Sequence, residues 1–175
     1  EQEVLEVAPL FSASEIFFGA DATETRLFAK AAGFDVVHLS THAMADGRRP
    51  LNSTIYLAAD GEDDGELRAS EVFRLPLNAD CVVLSACETG LGQLSHAEGL
   101  IGFSRSFFHA GTSSLLASLW SVFDASTKDL FVLFYKNWLS GDTKSQALRK
   151  AQVTLLERLP HPAFWAPFVL LGEER

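Results

Sequence analysis

The sequence predicts one α/β domain, in which helices cover both faces of a mostly parallel sheet. The chain has 175 residues, the usual length of a single domain with a sizeable core. Short apolar segments rich in β-branched residues, typical of strands buried on both faces, alternate with amphipathic segments of helical length. Strands that alternate with helices predict parallel pairing through right-handed crossovers.

The predicted strands are short and carry few charges. They comprise residues 34–40, 54–58, 81–86, 114–120 and 164–171. Leu67 is expected to resume a strand that pairs back as a hairpin, because the preceding loop, residues 60–65, holds four acids and two glycines. Pro167 favours a sheet edge for the last strand, since proline donates no hydrogen bond to a ladder. The apolar run Ile16-Phe17-Phe18 is a further candidate strand.

The predicted helices have apolar residues three and four positions apart. They comprise residues 21–32, 70–75, 98–110, 124–139 and 143–159. Asp21 is expected to cap the first of them and Gly33 to end it. We expect residues 1–18 to form an N-terminal extension or edge segment, and residues 19–175 to form the domain, as part of a longer chain.

Composition excludes several classes of function. The chain has 14 Lys and Arg against 23 Asp and Glu, a net charge of −9, so we expect no direct contact with nucleic acid. No apolar run approaches the roughly 18 residues of a membrane span, so we expect no membrane partner. Cys81 and Cys87 lie on one predicted extended segment, too far apart for a disulfide. Two free thiols favour a reducing, cytosolic compartment. The acidic N-terminus, Glu1-Gln2-Glu3, has neither the basic nor the apolar region of a signal peptide.

Two predicted strands end in residues that are capable of covalent chemistry. His42 follows the strand at residues 34–40, and Cys87 follows the strand at residues 81–86. If these strands are parallel neighbours, about 4.8 Å apart, the imidazole and the thiol meet at one edge of the sheet. A cysteine nucleophile needs such a partner. Backbone N–H groups of the glycine-rich loop at residues 89–92 could lower the thiol pKa and bind an oxyanion.

Six stretches of the sequence, in this order, resemble the CHAT domain of the caspase–separase superfamily of cysteine peptidases. They are residues 19–24, VHLSTH at 37–42, LSACETGLG at 84–92, and residues 118–122, 147–152 and 161–166. The resemblance implies a three-layer caspase-like fold and a cysteine endopeptidase that forms a thioester acyl-enzyme. It assigns the catalytic histidine to His42, the nucleophile to Cys87, and the oxyanion hole to the backbone N–H groups of Ala43 and Cys87.

One position departs from the family pattern. The family usually has glycine where this chain has Ala43. If that position requires a positive φ, alanine would cost about 1–2 kcal/mol of strain.

The resemblance also implies a substrate pocket after the strand at residues 114–120. Asp124, together with Glu88 or Glu98, would favour a basic substrate side chain, and Trp120 and Val122 would form an apolar wall. Asp124 fits equally well as the N-cap of its helix, and Trp120 as a core residue.

The implied partners are a protein or peptide substrate and a regulatory helical-repeat region of tetratricopeptide type, in the parent chain or in a partner protein. The resemblance suggests a bacterial, cytoplasmic setting. We expect no cofactor and no metal. The spacing of His96 and His109 matches no compact metal motif, and a metal site formed by His42, Asp46 and His96 is the less favoured alternative.

Other interpretations stay open at this point. The fold could serve as a catalytically weak or inactive scaffold or interaction module. Residues 89–92 could form an anion site of a nucleotide-binding domain, although they lack the Gly-Lys-Ser/Thr of a P-loop. His38, inside an apolar strand, is interpreted as a buried, hydrogen-bonded histidine, and Cys81 as a small core residue.

Overall fold

A six-stranded sheet forms the centre of the described residues. The computed structural model describes residues 1–88, 95–120, 122 and 124–174. For residues 86–88, 95–99 and 124 it describes the backbone alone. The strands are β1 (Val36–Met44), β2 (Thr54–Tyr56), β3 (Glu66–Arg68), β4 (Cys81–Glu88), β5 (Ser114–Ser118) and β6 (Phe168–Gly172). Their order is β3-β2-β1-β4-β5-β6.

The three central strands are parallel, and antiparallel strands extend the sheet on both sides. β4 pairs in parallel with both β1 and β5, whereas β2, β3 and β6 are antiparallel to their neighbours. The predicted hairpin is confirmed as β2 and β3. β6, which follows Pro167, lies at an edge of the sheet as predicted. Residues 16–18 join no strand, so that prediction is wrong: the ring of Phe17 instead lies 5.2 Å from the guanidinium carbon of Arg26.

The described residues contain six α-helices. They are α1 (Gln2–Val7), α2 (Glu24–Lys30), α3 (Ala69–Val72), α4 (Ser95–Ala110), α5 (Asp124–Leu139) and α6 (Lys144–Arg158). Thr23, and not Asp21, caps α2, because its hydroxyl accepts from the backbone N–H of Arg26 at 3.3 Å. Asp21 belongs to a preceding 3-10 turn and pairs with the Arg26 guanidinium at 2.6 Å. None of the helices in the described residues combines the length and apolar composition needed to cross a bilayer.

Two apolar cores, one on each face of the sheet, confirm the three-layer α/β class. The first contains residues of α2, α3 and α4, and the second contains residues of α1, α5 and α6. β4 supplies both cores, since alternate residues face opposite sides of a strand: Val82 lies in the first core and Val83 in the second. α1 contributes Val7 to the second core. The division of the chain at residue 18 stays a prediction.

Candidate active site

The register of β1 and β4 brings the two predicted catalytic positions together. These strands pair in parallel from Val36 and Cys81 to Ala43 and Glu88, and His42 is the register partner of Cys87. Neighbouring strands lie about 4.8 Å apart, so the two backbone positions are adjacent at the carboxyl end of the parallel pair. The parallel pairing predicted for these strands is therefore present in the fold. The side chain of Cys87 lies outside the described residues.

β1 is longer than predicted and continues through the candidate site. Its last residues also pair with β2, with His42 opposite Tyr56 and Ala43 opposite Ile55. His42 therefore sits between two neighbouring strands, which fix its backbone. Ala43 does not have a positive φ, and the residue is buried in the first core, where it is 6% exposed. The strain expected for alanine at this position is consequently absent.

One face of β1 opens to solvent at the candidate site. His38, Ser40, His42 and Met44 share a face, since residues two apart in a strand do. The side chain of His38 is 11% exposed, whereas Ser40, His42 and Met44 are all exposed. The helices on this face thus cover the middle of β1 and leave the imidazole of His42 accessible to another molecule.

A polar cluster lies on the same face, before the exposed end of β1. We call His38, Glu3, Ser85 and Tyr135 the polar cluster. His38 Nε2 is 2.6 Å from Glu3 Oε1, and His38 Nδ1 is 3.0 Å from the hydroxyl of Tyr135. The hydroxyl of Ser85 donates to Glu3 Oε2 at 3.1 Å. The interpretation of His38 as a buried, hydrogen-bonded histidine is therefore confirmed.

The hydrogen bonds of the polar cluster connect both ring nitrogens of His38 to oxygen atoms. Burial raises the pKa of Tyr135 well above its ordinary value, so this phenol keeps its proton and can donate to Nδ1 of His38. Nε2 faces a carboxylate oxygen, which can only accept, so this nitrogen donates to Glu3. Each polar group of the cluster thus has a complementary partner. Sequence reasoning missed Glu3, because its helix was not predicted and no local pattern distinguishes it from a surface acid.

Cys81 is chemically unlike a nucleophile. It is fully buried in the second core. Burial, the largest cause, raises the pKa of its thiol to about 11. Its thiol therefore stays protonated at neutral pH, and its interpretation as a core residue is confirmed.

The predicted pocket residues follow β5, the parallel neighbour of β4. Trp120 is 37% exposed and belongs to neither core, which removes the alternative that it is a core residue. Val122 is half-buried against the second core. Asp124 is the first residue of α5. The side chains of Asp124, Glu88 and Glu98, which were assigned to the same pocket, lie outside the described residues.

Two further predictions concern anions and metals. The glycine-rich loop at residues 89–92 lies outside the described residues, as does the side chain of His96. Asp46, considered as a metal ligand, accepts hydrogen bonds from the backbone N–H groups of Arg48 and Arg49 at 2.9 and 2.8 Å. These bonds lower the pKa of its carboxyl group, with the bond from Arg49 the largest cause. In the described part of the chain, no three His, Cys, Asp or Glu side chains converge in a way that could hold a metal ion.

Comparison with known proteins confirms the predicted family. Residues 1–173 match the family model described as CHAT domain. A protein of Mus musculus named Tetratricopeptide repeat protein 28 is 34% identical over 110 residues, which cover 62% of this chain and 4% of the mouse protein. The Homo sapiens protein of the same name is 27% identical over 209 aligned residues, covering 99% of this chain and 8% of that protein. The chain thus spans less than a tenth of these relatives.

Proposed function

Since the chain belongs to the CHAT domain family, which is related to the cysteine peptidases, we propose that it is a cysteine endopeptidase acting through His42 and Cys87. The observation that carries the proposal is the parallel register in which these two residues are partners. Register partners on adjacent parallel strands share one face of a sheet. An imidazole and a thiol in that relation are the groups that thiol-dependent acyl transfer requires.

The proposed reaction proceeds through a thioester. The Cys87 thiol gives its proton to His42, and the sulfur bonds to the scissile carbonyl carbon. Negative charge moves to the carbonyl oxygen, where the backbone N–H groups of Ala43 and Cys87 stabilise it. The C–N bond then breaks, and the amine leaves with the proton held by His42. Water, giving a proton to His42, attacks the thioester, and the acid product leaves as the thiol is restored.

The open face of β1 supports a polypeptide substrate. Ser40, His42 and Met44 are exposed along one strand, which gives an extended peptide access to the imidazole. Trp120, exposed after β5, offers an apolar wall. We propose that Asp124 and Glu88 add negative charge there, so that the enzyme prefers a basic residue before the scissile bond.

Two substitutions test the assignment. Cys87→Ala and His42→Ala should each lower the rate of peptide cleavage by about 10³-fold or more, because the paired groups act as one unit. Ser40→Ala is the matched control, since Ser40 is exposed on the same face of β1, and it should keep most of the activity. The assay uses fluorogenic peptides that differ only in the residue before the scissile bond. Wild-type rates for both variants would refute the proposal.

Covalent labelling separates an enzyme from an inactive scaffold. A peptide carrying a thiol-reactive electrophile and a basic residue should modify Cys87 and leave Cys81 unmodified, because the latter is buried with a raised pKa. Mass spectrometry of the digested protein locates the label, so Cys81 serves as an internal control. Equal labelling of Cys87 and Cys81, or no labelling of either, would favour the interpretation of the domain as an inactive scaffold.

The relatives also suggest how such an activity is regulated. Both are named tetratricopeptide repeat proteins and are much longer than this chain. We propose that the parent chain also contains helical repeats of this type, or binds a protein that has them, and that these repeats control access to the site. Comparing cleavage by the chain alone and by its parent protein tests this: equal rates under all conditions would contradict it.

A further inference from the structure

We propose that Glu3 is a positioning residue for the candidate active site, holding together the two strands that carry His42 and Cys87. The inference rests on the proposed function for its catalytic consequence. Its structural part, that one carboxylate fixes the relative position of two strand ends, depends only on the fold.

The two oxygens of the Glu3 carboxylate bind different strands. Oε1 accepts from His38 on β1 at 2.6 Å, and Oε2 accepts from Ser85 on β4 at 3.1 Å. His38 precedes His42 by four residues and Ser85 precedes Cys87 by two, which correspond to about 13 and 7 Å along the strands. The carboxylate therefore bridges β1 and β4 on the amino-terminal side of the positions proposed to react.

Burial makes this bridge rigid. Glu3 is 8% exposed, Ser85 is 6% exposed, and Tyr135, which holds the other nitrogen of His38, is fully buried. Hydrogen bonds to a carboxylate are shorter and stronger than those between neutral groups, and the low local dielectric strengthens them further. Removing the carboxylate would leave the imidazole N–H and the serine hydroxyl without their buried partner.

The position of Glu3 also depends on the attachment of α1 to α5. Val7 anchors α1 in the second core, and Glu6 pairs with Lys128 of α5 at 3.1 Å. α1 thus presents the carboxylate from a helix that is already attached to α5. Acyl transfer depends steeply on geometry, and a displacement of about 1 Å can cost about 100-fold in rate. Loss of the bridge should therefore affect the chemical step more than substrate binding.

Three variants of α1 test the proposal by kinetics in the full chain. Glu3→Ala should lower kcat by about 10-fold or more while KM changes by less than about 3-fold. Glu3→Gln should recover most of kcat, because its carbonyl can accept from His38 and its amide can donate to the oxygen of Ser85. Gln2→Ala is the matched control, since Gln2 is exposed on the same helix and holds neither strand, and its kcat should equal that of the wild type. Rates are measured per titrated active site, well below the unfolding temperature.

Hydrogen exchange gives a readout that does not depend on activity. In Glu3→Ala, amides of residues 40–44 and 85–88 should exchange at least about 10-fold faster, whereas those of β5 (Ser114–Ser118) should keep their protection. A mere loss of global stability would accelerate exchange in all three segments alike and would overturn the proposal. Unchanged exchange at both strand ends would also overturn it.

The two readouts distinguish failure of this inference from failure of the proposed function. If the wild type neither cleaves peptides nor labels selectively at Cys87, the peptidase proposal fails, and the exchange experiment alone decides whether Glu3 positions the strands. If the wild type is active and Glu3→Ala keeps its kcat, the positioning role is refuted while the peptidase proposal stands.

Discussion

The carboxyl group of Glu24 gives a sharp test of how burial controls charge in this fold. Glu24 is the first residue of α2 and is 2% exposed. Within the described residues, its Oε1 has no hydrogen-bond partner. Burial raises its pKa from 4.5 to about 7, the acids Glu71, Asp63 and Asp64 add to the rise, and Arg68 opposes it. The folded protein therefore keeps this carboxyl group protonated in mild acid.

The raised pKa makes stability fall as the pH rises. Unfolded Glu24 loses its proton near pH 4.5, whereas the folded form keeps it to about pH 7, so deprotonation favours the unfolded state between these values. The shift corresponds to at most about 3 kcal/mol, at 1.36 kcal/mol for each pH unit. Because water and salt screen the neighbouring loop acids, we expect about 2 kcal/mol. Glu24→Gln has no proton to lose and should lack this part of the pH dependence.

The assay is urea unfolding followed by tryptophan fluorescence, at about pH 5 and about pH 8.5. The free energy of unfolding of Glu24→Gln, relative to that of the wild type, should be about 2 kcal/mol higher at about pH 8.5 than at about pH 5. Glu62→Gln is the matched control, because it removes the same charge from an exposed position in the loop between β2 and β3. A difference between wild type and Glu24→Gln that stays constant with pH would refute the reasoning.

Two further predictions concern a pair of glycines and the buried thiol. Gly111 and Gly141 both have positive φ, at 112° and 105°, but only at Gly111 would an added Cβ collide with the carbonyl oxygen of Leu77. Gly141→Ala should lower the free energy of unfolding by about 1–2 kcal/mol. Gly111→Ala should lower it by about 2 kcal/mol more, because the backbone around the new Cβ must shift. Equal melting temperatures for the two variants would contradict this expectation. Cys81 should react with a small thiol reagent only at the rate of unfolding, so labelling that urea does not accelerate would contradict its burial.

Local patterns predicted those elements whose signals lie within the element. The helix predicted at residues 124–139 is α5, with the same bounds, because an acid begins it and Gly141 follows its end. The strand predicted from residue 81 is β4, buried on both faces as its run of apolar residues indicates. The proposed catalytic positions were also predictable, since each stands at the end of such a run.

Contacts between distant segments account for what was missed. The prediction ended β1 at residue 40, because polar residues follow there, but pairing with β2 carries it to Met44. The run at residues 16–18 has strand-like residues, yet in the described structure it pairs with no strand. In both cases the presence of a pairing partner, and not the local composition, decides whether a strand forms.

The sequence by itself determined the layered α/β architecture and placed His42 and Cys87 close to the carboxyl ends of two strands, because side-chain periodicity and helix boundaries depend on near neighbours. Only the tertiary structure decided that His42 is the register partner of Cys87, and that Glu3 joins His38 to Ser85. Glu3 and Ser85 are 82 positions apart. Contacts over such separations form only when packing across the whole chain compensates the entropy of bringing the segments together.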